Sequence, residues 1–384
     1  MIYLDHNATS PVRPEVLEAM LPWLKDGYGN PNSVYSLGQK ARAAVEKARE
    51  CVAQLVGAAD SSEIVFTSGG TESDVFAISG AAWLAKEQSR GRNKIVSTCI
   101  EHDAVRTLLT QLRRRGFEIS EVPCAAGGIV LAEAAQSAID QDTAVVSVMH
   151  ANNETGVLQP VAEIAAYARQ RGALMHTDAV QSLGKIAVDV KTLGVDLLSL
   201  SGHKLNAPKG IGALFVRRGV QLSPVLTGHQ EKERRGGTEN VAGIAALGAA
   251  ARLALRELDA NSAHSLMLRR RLESGVLSIP GAKLNGDPER RLPNTSSFTF
   301  KGIDGHHLVV ALDLEGFCVS SGPACSSGSS LPSHVLTAMG IDALSAASSL
   351  RVSVGWGTTE ADVDRFLKCL PAAVERLRSA AGVA

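Results

Sequence analysis

Apolar positions in the first two-thirds of the chain follow two periods. Ala44, Val45, Ala48, Cys51, Val52, Leu55 and Val56 recur at three- and four-residue steps, which predicts a long amphipathic helix over Ser36–Val56. A β-branched run at 63–67 follows, then Ser-Gly-Gly-Thr and a second helical stretch from Glu72. Compact apolar runs at 94–98, 117–122, 144–149, 173–176, 197–200 and 211–216 read as strands, with helical stretches such as 104–115 and 161–171 between them. Strands alternating with helices predict an α/β fold built on a mainly parallel sheet covered on both faces.

The pattern changes after about Gly237. Residues 240–276 read as a long pair of helices rich in small residues, followed by strands at 295–300 and 350–354 and helices near 304–315 and 359–378. Thr359 with Asp362 three residues on is a capping signature for the last of these. The expected organisation is a large domain over 16–255 and a smaller α+β domain over 256–384. Residues 1–15 are expected to pack with the small domain.

Composition narrows the function classes. The 384 residues are 45% apolar but only 4% aromatic, so the core must be aliphatic. Lys plus Arg and Asp plus Glu each number 39, and a neutral chain argues against nucleic acid as the main partner. No apolar run reaches the roughly 18 residues that span a membrane. The first residues carry neither a basic nor an apolar leader, so a cytoplasmic location is expected. Six scattered cysteines without a C-x-x-C pair fit neither a disulfide framework nor a metal site.

The candidate chemistry sits at strand ends. Lys204, in Ser201-Gly202-His203-Lys204, follows an apolar strand. A buried ammonium there is costly, and lysine forms Schiff bases with aldehydes, although a lysine at a strand end also snorkels to solvent. Asp178 closes an earlier strand, where a carboxylate points into the ligand crevice of an α/β sheet or else caps the next helix. Lysine for an aldehyde plus a carboxylate for a pyridine nitrogen is the pattern of a pyridoxal-phosphate enzyme. The turn Thr67-Ser68-Gly69-Gly70-Thr71-Glu72 between strand and helix offers free N–H groups and hydroxyls to a phosphate, with Ser201 and His203 as further donors.

Two further polar groups, His102 and Asn153, also stand at strand ends, and each reads equally as turn chemistry. Cys325 lies in the Gly/Ser-rich stretch 320–330, a composition that predicts a mobile, solvated loop and an exposed, reactive thiol. Arg351 interrupts an apolar strand and suits bidentate capture of a carboxylate, unless it faces outward on an edge.

Together these residues resemble a known family. Tyr3-Leu4-Asp5 with Ala8-Thr9, Gly29-Asn30-Pro31, Thr71-Glu72-Ser73, Glu101-His102, Asn152-Asn153-Glu154-Thr155-Gly156, His176-Thr177-Asp178-Ala179-Val180-Gln181, Ser201-Gly202-His203-Lys204, Gly236-Gly237-Thr238-Glu239-Asn240 and the Cys325 loop are similar to those of the cysteine desulfurases. These are NifS- and IscS-type enzymes of the class V aminotransferase family. The similarity runs in order from about residue 2 to 378.

The resemblance implies a type I pyridoxal-phosphate transferase fold, with a seven-stranded-type sheet and a mobile cysteine loop at about 320–332. It implies that Lys204 holds pyridoxal phosphate and moves protons, and that His102 stacks on the ring. Asp178 would pair with the ring nitrogen, Gln181 with the ring hydroxyl, and Asn153 with cofactor or substrate. Gly70, Thr71, Ser201 and His203 would hold the phosphate, joined by Thr238 from the partner of a homodimer. Arg351, with Asn30, would fix the substrate carboxylate.

The implied reaction takes L-cysteine to L-alanine, leaves a persulfide on Cys325, and passes the sulfur to an iron–sulfur scaffold or other acceptor protein. Selenocysteine lysis or another pyridoxal-phosphate reaction on the same fold is the alternative, and no metal is implied. Three departures stand out: Pro323 in the cysteine loop, one glycine fewer in 226–230, and Trp356-Gly357 after the Arg351 strand.

Overall fold

A computed structural model describes residues 1–88, 91–322 and 332–382. Its twelve strands are β1 (Ile2–Tyr3), β2 (Ile64–Thr67), β3 (Lys94–Thr98), β4 (Glu118–Val122), β5 (Thr143–Ser147), β6 (Leu174–Asp178), β7 (Leu197–Ser201), β8 (Gly212–Val216), β9 (Ala282–Leu284), β10 (Thr295–Phe300), β11 (Phe317–Cys318) and β12 (Ser349–Ser353). Seven form one sheet in the order β2-β8-β7-β6-β5-β3-β4.

The pairs β3–β4, β3–β5, β5–β6 and β6–β7 are parallel, whereas β8 runs antiparallel to both β7 and β2. Because β8 reverses twice, β2 points the same way as β3 to β7. The C-terminal ends of β2, β3, β5, β6 and β7 therefore meet along one rim, the side on which α/β sheets bind ligands. The strands β2, β3, β5, β7 and β8 are buried at every position, which explains why they read as compact, largely apolar runs.

The sheet is mainly parallel, as the alternation predicts. The helix that the sequence starts at Glu72 begins two residues earlier, at Gly70, and runs to Gln88. Gly70 has poor intrinsic propensity, but its place at the end of β2 starts the helix there. The sequence reading missed the helix Pro14–Lys25 and the short strands β1, β9 and β11.

A second apolar cluster gathers around the antiparallel sheet β12-β10-β9, with Phe298, Phe300, Leu350, Val352 and Phe366 at its centre. The helix Val241–Arg256 packs on Ser36–Val56 in the first cluster, while Leu258–Leu277 contributes Leu268 and Leu272 to the second. β1 pairs in parallel with β11, so Leu4 joins this second cluster. The Thr359 side chain accepts from the Asp362 N–H and the Asp362 carboxylate from the Thr359 N–H, completing the capping box of Glu360–Ala380.

Candidate active site

The rim of the large sheet opens onto a cavity of about 230 Å3. Its floor is Asp178 at the end of β6, Ser201 at the end of β7, and His203 and Lys204 just after it. Gly70 and Thr71 line one side at the start of the helix Gly70–Gln88, and His102 lines it after β3. Asn153, Gln181 and Arg351 complete the group. Ten residues singled out from the sequence thus face one space.

Asn30 and Thr238 do not. Asn30 is exposed, and its side-chain oxygen accepts from the Asn32 N–H at 2.9 Å. Thr238 is exposed beside Glu239, whose carboxylate accepts from Asn32 Nδ2 at 3.3 Å. The two therefore share one surface patch away from this chain's own cavity. Cys325 and Pro323 lie outside the described residues.

Asp178 is buried, and burial pushes its carboxyl above the usual range, opposed by His102 and Lys204. Among the described residues its hydrogen bond comes from the Val180 N–H, at 2.9 Å. Two more buried carboxyls stand near it. Asp74 is pushed well up by burial and then by Asp178, and its Oδ1 lacks a hydrogen-bond partner among the described residues. Glu101 is pushed up to about 8, mainly by burial. Its Oε1 accepts from Thr98 Oγ1 at 2.7 Å and from the Met149 N–H at 2.9 Å, while its Oε2 has no such partner.

The imidazoles are set by their neighbours. His203 is pulled down to about 4 by burial and by surrounding cations, Lys204 first, so it is neutral at pH 7. His102 caps the helix Asp103–Arg114, its Nδ1 accepting from the Ala104 N–H at 3.1 Å. With Nδ1 taken as an acceptor, the N–H of the His102 ring is on Nε2. The two readings of Asn152-Asn153 divide between the residues. Asn152 Oδ1 accepts from the N–H groups of Glu154 and Thr155 and makes the turn, while Asn153 lines the cavity.

Asn7 went unnoticed in the sequence although it joins three walls. Its Nδ2 donates to Thr295 Oγ1 at 2.9 Å and to the Asn153 carbonyl at 3.2 Å. Its own carbonyl accepts from Gln181 Nε2 at 3.1 Å and from Lys204 Nζ, which also donates to the Ala8 carbonyl at 2.7 Å. Asp74, His334 and Glu154 also line the cavity and were not singled out.

The cavity fits pyridoxal phosphate on three counts. Asp178 is a buried carboxylate with room for a cationic partner. The first N–H groups of a 19-residue helix stand open toward an anion beside Ser201 and His203. A Cβ on Gly70 would sit 2.9 Å from Val180 Cγ2, so only glycine leaves that approach clear.

The aminotransferase class-V profile matches residues 2–366. A cysteine desulfurase from Trichormus azollae is 48% identical over 381 residues, covering 99% of this chain and 94% of that protein. Among solved structures, a NifS-like protein superposes with a TM-score of 0.91 at 38% identity, covering 98% of this chain and all of that one. SspA in complex with cysteine gives 0.82 at 34% identity, covering 92% and 99%. Among the described residues no helix is long and apolar enough to cross a membrane, and no cluster of metal ligands occurs.

Proposed function

The chain belongs to the class V aminotransferase family, among the cysteine desulfurases, and we propose that its rim cavity holds pyridoxal phosphate and takes L-cysteine as substrate. The observation that carries this reading is that Lys204, Asp178 and Arg351 face one cavity although 173 positions separate Asp178 from Arg351. Gly70, Thr71, Ser201 and His203 would hold the phosphate, Asp178 the ring nitrogen, Gln181 the ring oxygen, and His102 the ring face. When bound, the coenzyme withdraws electrons from the substrate α-carbon and so makes its proton acidic.

The chain's own groups do the rest. Arg351 binds the substrate carboxylate and orients the α-carbon. Lys204 Nζ removes the α-proton and returns a proton as alanine forms. The Cys325 thiolate attacks the substrate sulfur. An S–S bond forms as the carbon–sulfur bond breaks, the electron pair stays with carbon, and a proton from Lys204 or His102 completes the alanine methyl group. The products are L-alanine and a persulfide on Cys325.

The sulfur is proposed to pass to an iron–sulfur scaffold or another acceptor protein. A homodimer is proposed because Asn30 and Thr238 share a patch away from their own cavity, and because Leu17, Leu21 and Leu24 leave an exposed apolar stripe on the nearby N-terminal helix. A reducing, cytoplasmic compartment agrees with five free cysteines among the described residues.

The test is the intact mass of the enzyme after brief exposure to L-cysteine. Added sulfur mapping to Cys325, absent in Cys325→Ala while the coenzyme absorbance remains, is the expected result. Alanine formed with unchanged protein mass overturns the reading.

A further inference from the structure

Behind the wall formed by Gln181 and Lys204 lies a second, smaller cavity of about 120 Å3. Its ionisable lining groups are His6, Arg13, Lys185, Lys204 and His264. The sequence reading gave Lys185 no role, and the proposed reaction does not use it. It follows Gln181 by four residues, in the turn after β6 where Gly184 takes a φ of +72°. From that position Lys185 Nζ donates to Gln181 Oε1 at 3.1 Å.

A lysine placed here is expensive. Burial pulls its ammonium down to about 7, and the nearby cations Lys204 and Arg351 add to the effect. His6 and His203 also face it, and both are held down to about 4. Packing alone does not call for an amine at this point, since a methionine would fill the same space without the penalty.

The hydrogen-bond chemistry shows what the amine does. In its ammonium form Lys185 only donates, so the group it then touches on Gln181 must be the amide oxygen. A backbone carbonyl only accepts, so the group Gln181 turns to Asn7 must be the amide nitrogen. Two partners of opposite character therefore fix the Gln181 amide against a flip. One N–H of Nε2 is taken by the Asn7 carbonyl, and the second remains for the cavity that Gln181 lines.

We infer that Lys185 is a positioning residue: from the far side of the wall it locks the Gln181 amide so that an N–H, and not the oxygen, meets the ring oxygen of the coenzyme. This rests on the reading of the cavity as a pyridoxal-phosphate site. Without Lys185 the Asn7 carbonyl alone opposes a flip, and the amide more often turns its oxygen toward an anionic ring oxygen and repels it. The ring oxygen then holds the proton it shares with the lysine–coenzyme linkage more tightly.

The experiment is a pH titration of the visible absorbance band of the holoenzyme, with coenzyme affinity measured by equilibrium dialysis. Lys185→Met is expected to raise the midpoint by about half a pH unit or more and to weaken coenzyme binding about tenfold. In a Gln181→Leu background the same substitution is expected to leave the midpoint unchanged, because there is no amide left to position. Gln181→Glu keeps an oxygen for Lys185 but offers the cavity no N–H, and is expected to shift the midpoint as Lys185→Met does even if that variant does not fold.

A wild-type midpoint and affinity in folded Lys185→Met overturns the inference. So does an equal shift from Lys185→Met with and without Gln181, which would mean a direct charge effect. A wild-type protein with no coenzyme band would overturn the underlying cavity reading instead.

Discussion

Arg351 Nη2 bonds Asp5 Oδ1 at 2.7 Å, joining a strand of the small sheet to the start of the chain 346 positions away. Arg351 is 1% exposed, and its Nη1 donates to the Asn153 carbonyl at 3.1 Å. Two of its five N–H donors are thereby fixed, the guanidinium is held in the cavity wall, and donors remain for a carboxylate. Lysine has no fork with which to hold both anchors. Arg351→Lys is expected to raise the KM for L-cysteine roughly 10- to 100-fold, the equivalent of losing a charge-assisted hydrogen bond of about 1.5–3 kcal/mol. Steady-state kinetics should show a smaller change in kcat. An unchanged KM would remove Arg351 from substrate binding.

Asp178 is expected to trade stability for coenzyme binding. In the free protein it is a carboxylate that burial opposes, and an amide of the same shape keeps its bond from the Val180 N–H. Asp178→Asn is therefore expected to raise the melting temperature of the coenzyme-free protein. The same change removes the charge proposed for the ring nitrogen and should weaken coenzyme binding at least about tenfold. Calorimetry of the free protein and coenzyme titration read the two effects separately. A variant that loses both stability and affinity would mean that Asp178 acts as a structural cap.

Glu231, Lys232 and Glu233 occupy the left-handed region in succession, with φ of 49°, 57° and 64°. Glu231 has a reason to be there. Its carboxylate accepts from Arg49 at 2.6 and 2.9 Å and from the Phe66 N–H at 3.1 Å, all buried. Glu233 is exposed, and among the described residues its one ion-pair partner is His229, at 3.8 Å. Glycine at 233 removes a steric penalty of about 1–2 kcal/mol and adds back about 0.5–1 kcal/mol of chain entropy. Glu233→Gly should therefore stabilise by about half a kcal/mol. Glu231→Gly relieves the same strain but takes a buried, charge-assisted pair from Arg49, which keeps only Glu46 and the Ile64 carbonyl among the described residues, and should destabilise by about 2 kcal/mol. Urea denaturation of the two variants tests the opposite signs.

The sequence disclosed most of what periodicity and residue chemistry govern. The β3, β5, β7 and β8 runs are buried at every position, so each appears as a compact, largely apolar segment within a residue or two of its bounds. β1 and β11 are two residues each and exist only because they pair with one another, so no local pattern announces them. Lys204, Asp178 and Arg351 were legible because each is a charge where an apolar strand calls for none. Asn7 was not, because its contribution is largely a backbone carbonyl that any residue possesses. Asn152 and Asn153 were indistinguishable as letters, and only the closed turn shows which one spends its side chain on the backbone.

Glu101 offers a test of the buried acids that needs no coenzyme. Its carboxyl is pushed from an ordinary value of 4.5 to about 8 by burial, against the hydrogen bonds from Thr98 and Met149 that favour its charged form. Between those two values the folded protein holds a proton that the unfolded chain has released. Stability contributed by that proton is complete below about pH 4.5 and is lost as pH rises toward 8. A shift of this size corresponds to a few kcal/mol across the window, taken as an order of magnitude. Glu101→Gln keeps an oxygen for Thr98 and Met149 and has nothing to titrate. Wild type should therefore lose stability relative to Glu101→Gln as the pH is raised from 5 to 8, measured by urea denaturation of the coenzyme-free proteins. If the difference between the two stays constant across that range, Glu101 holds the same charge state throughout, and burial does not keep its carboxyl protonated.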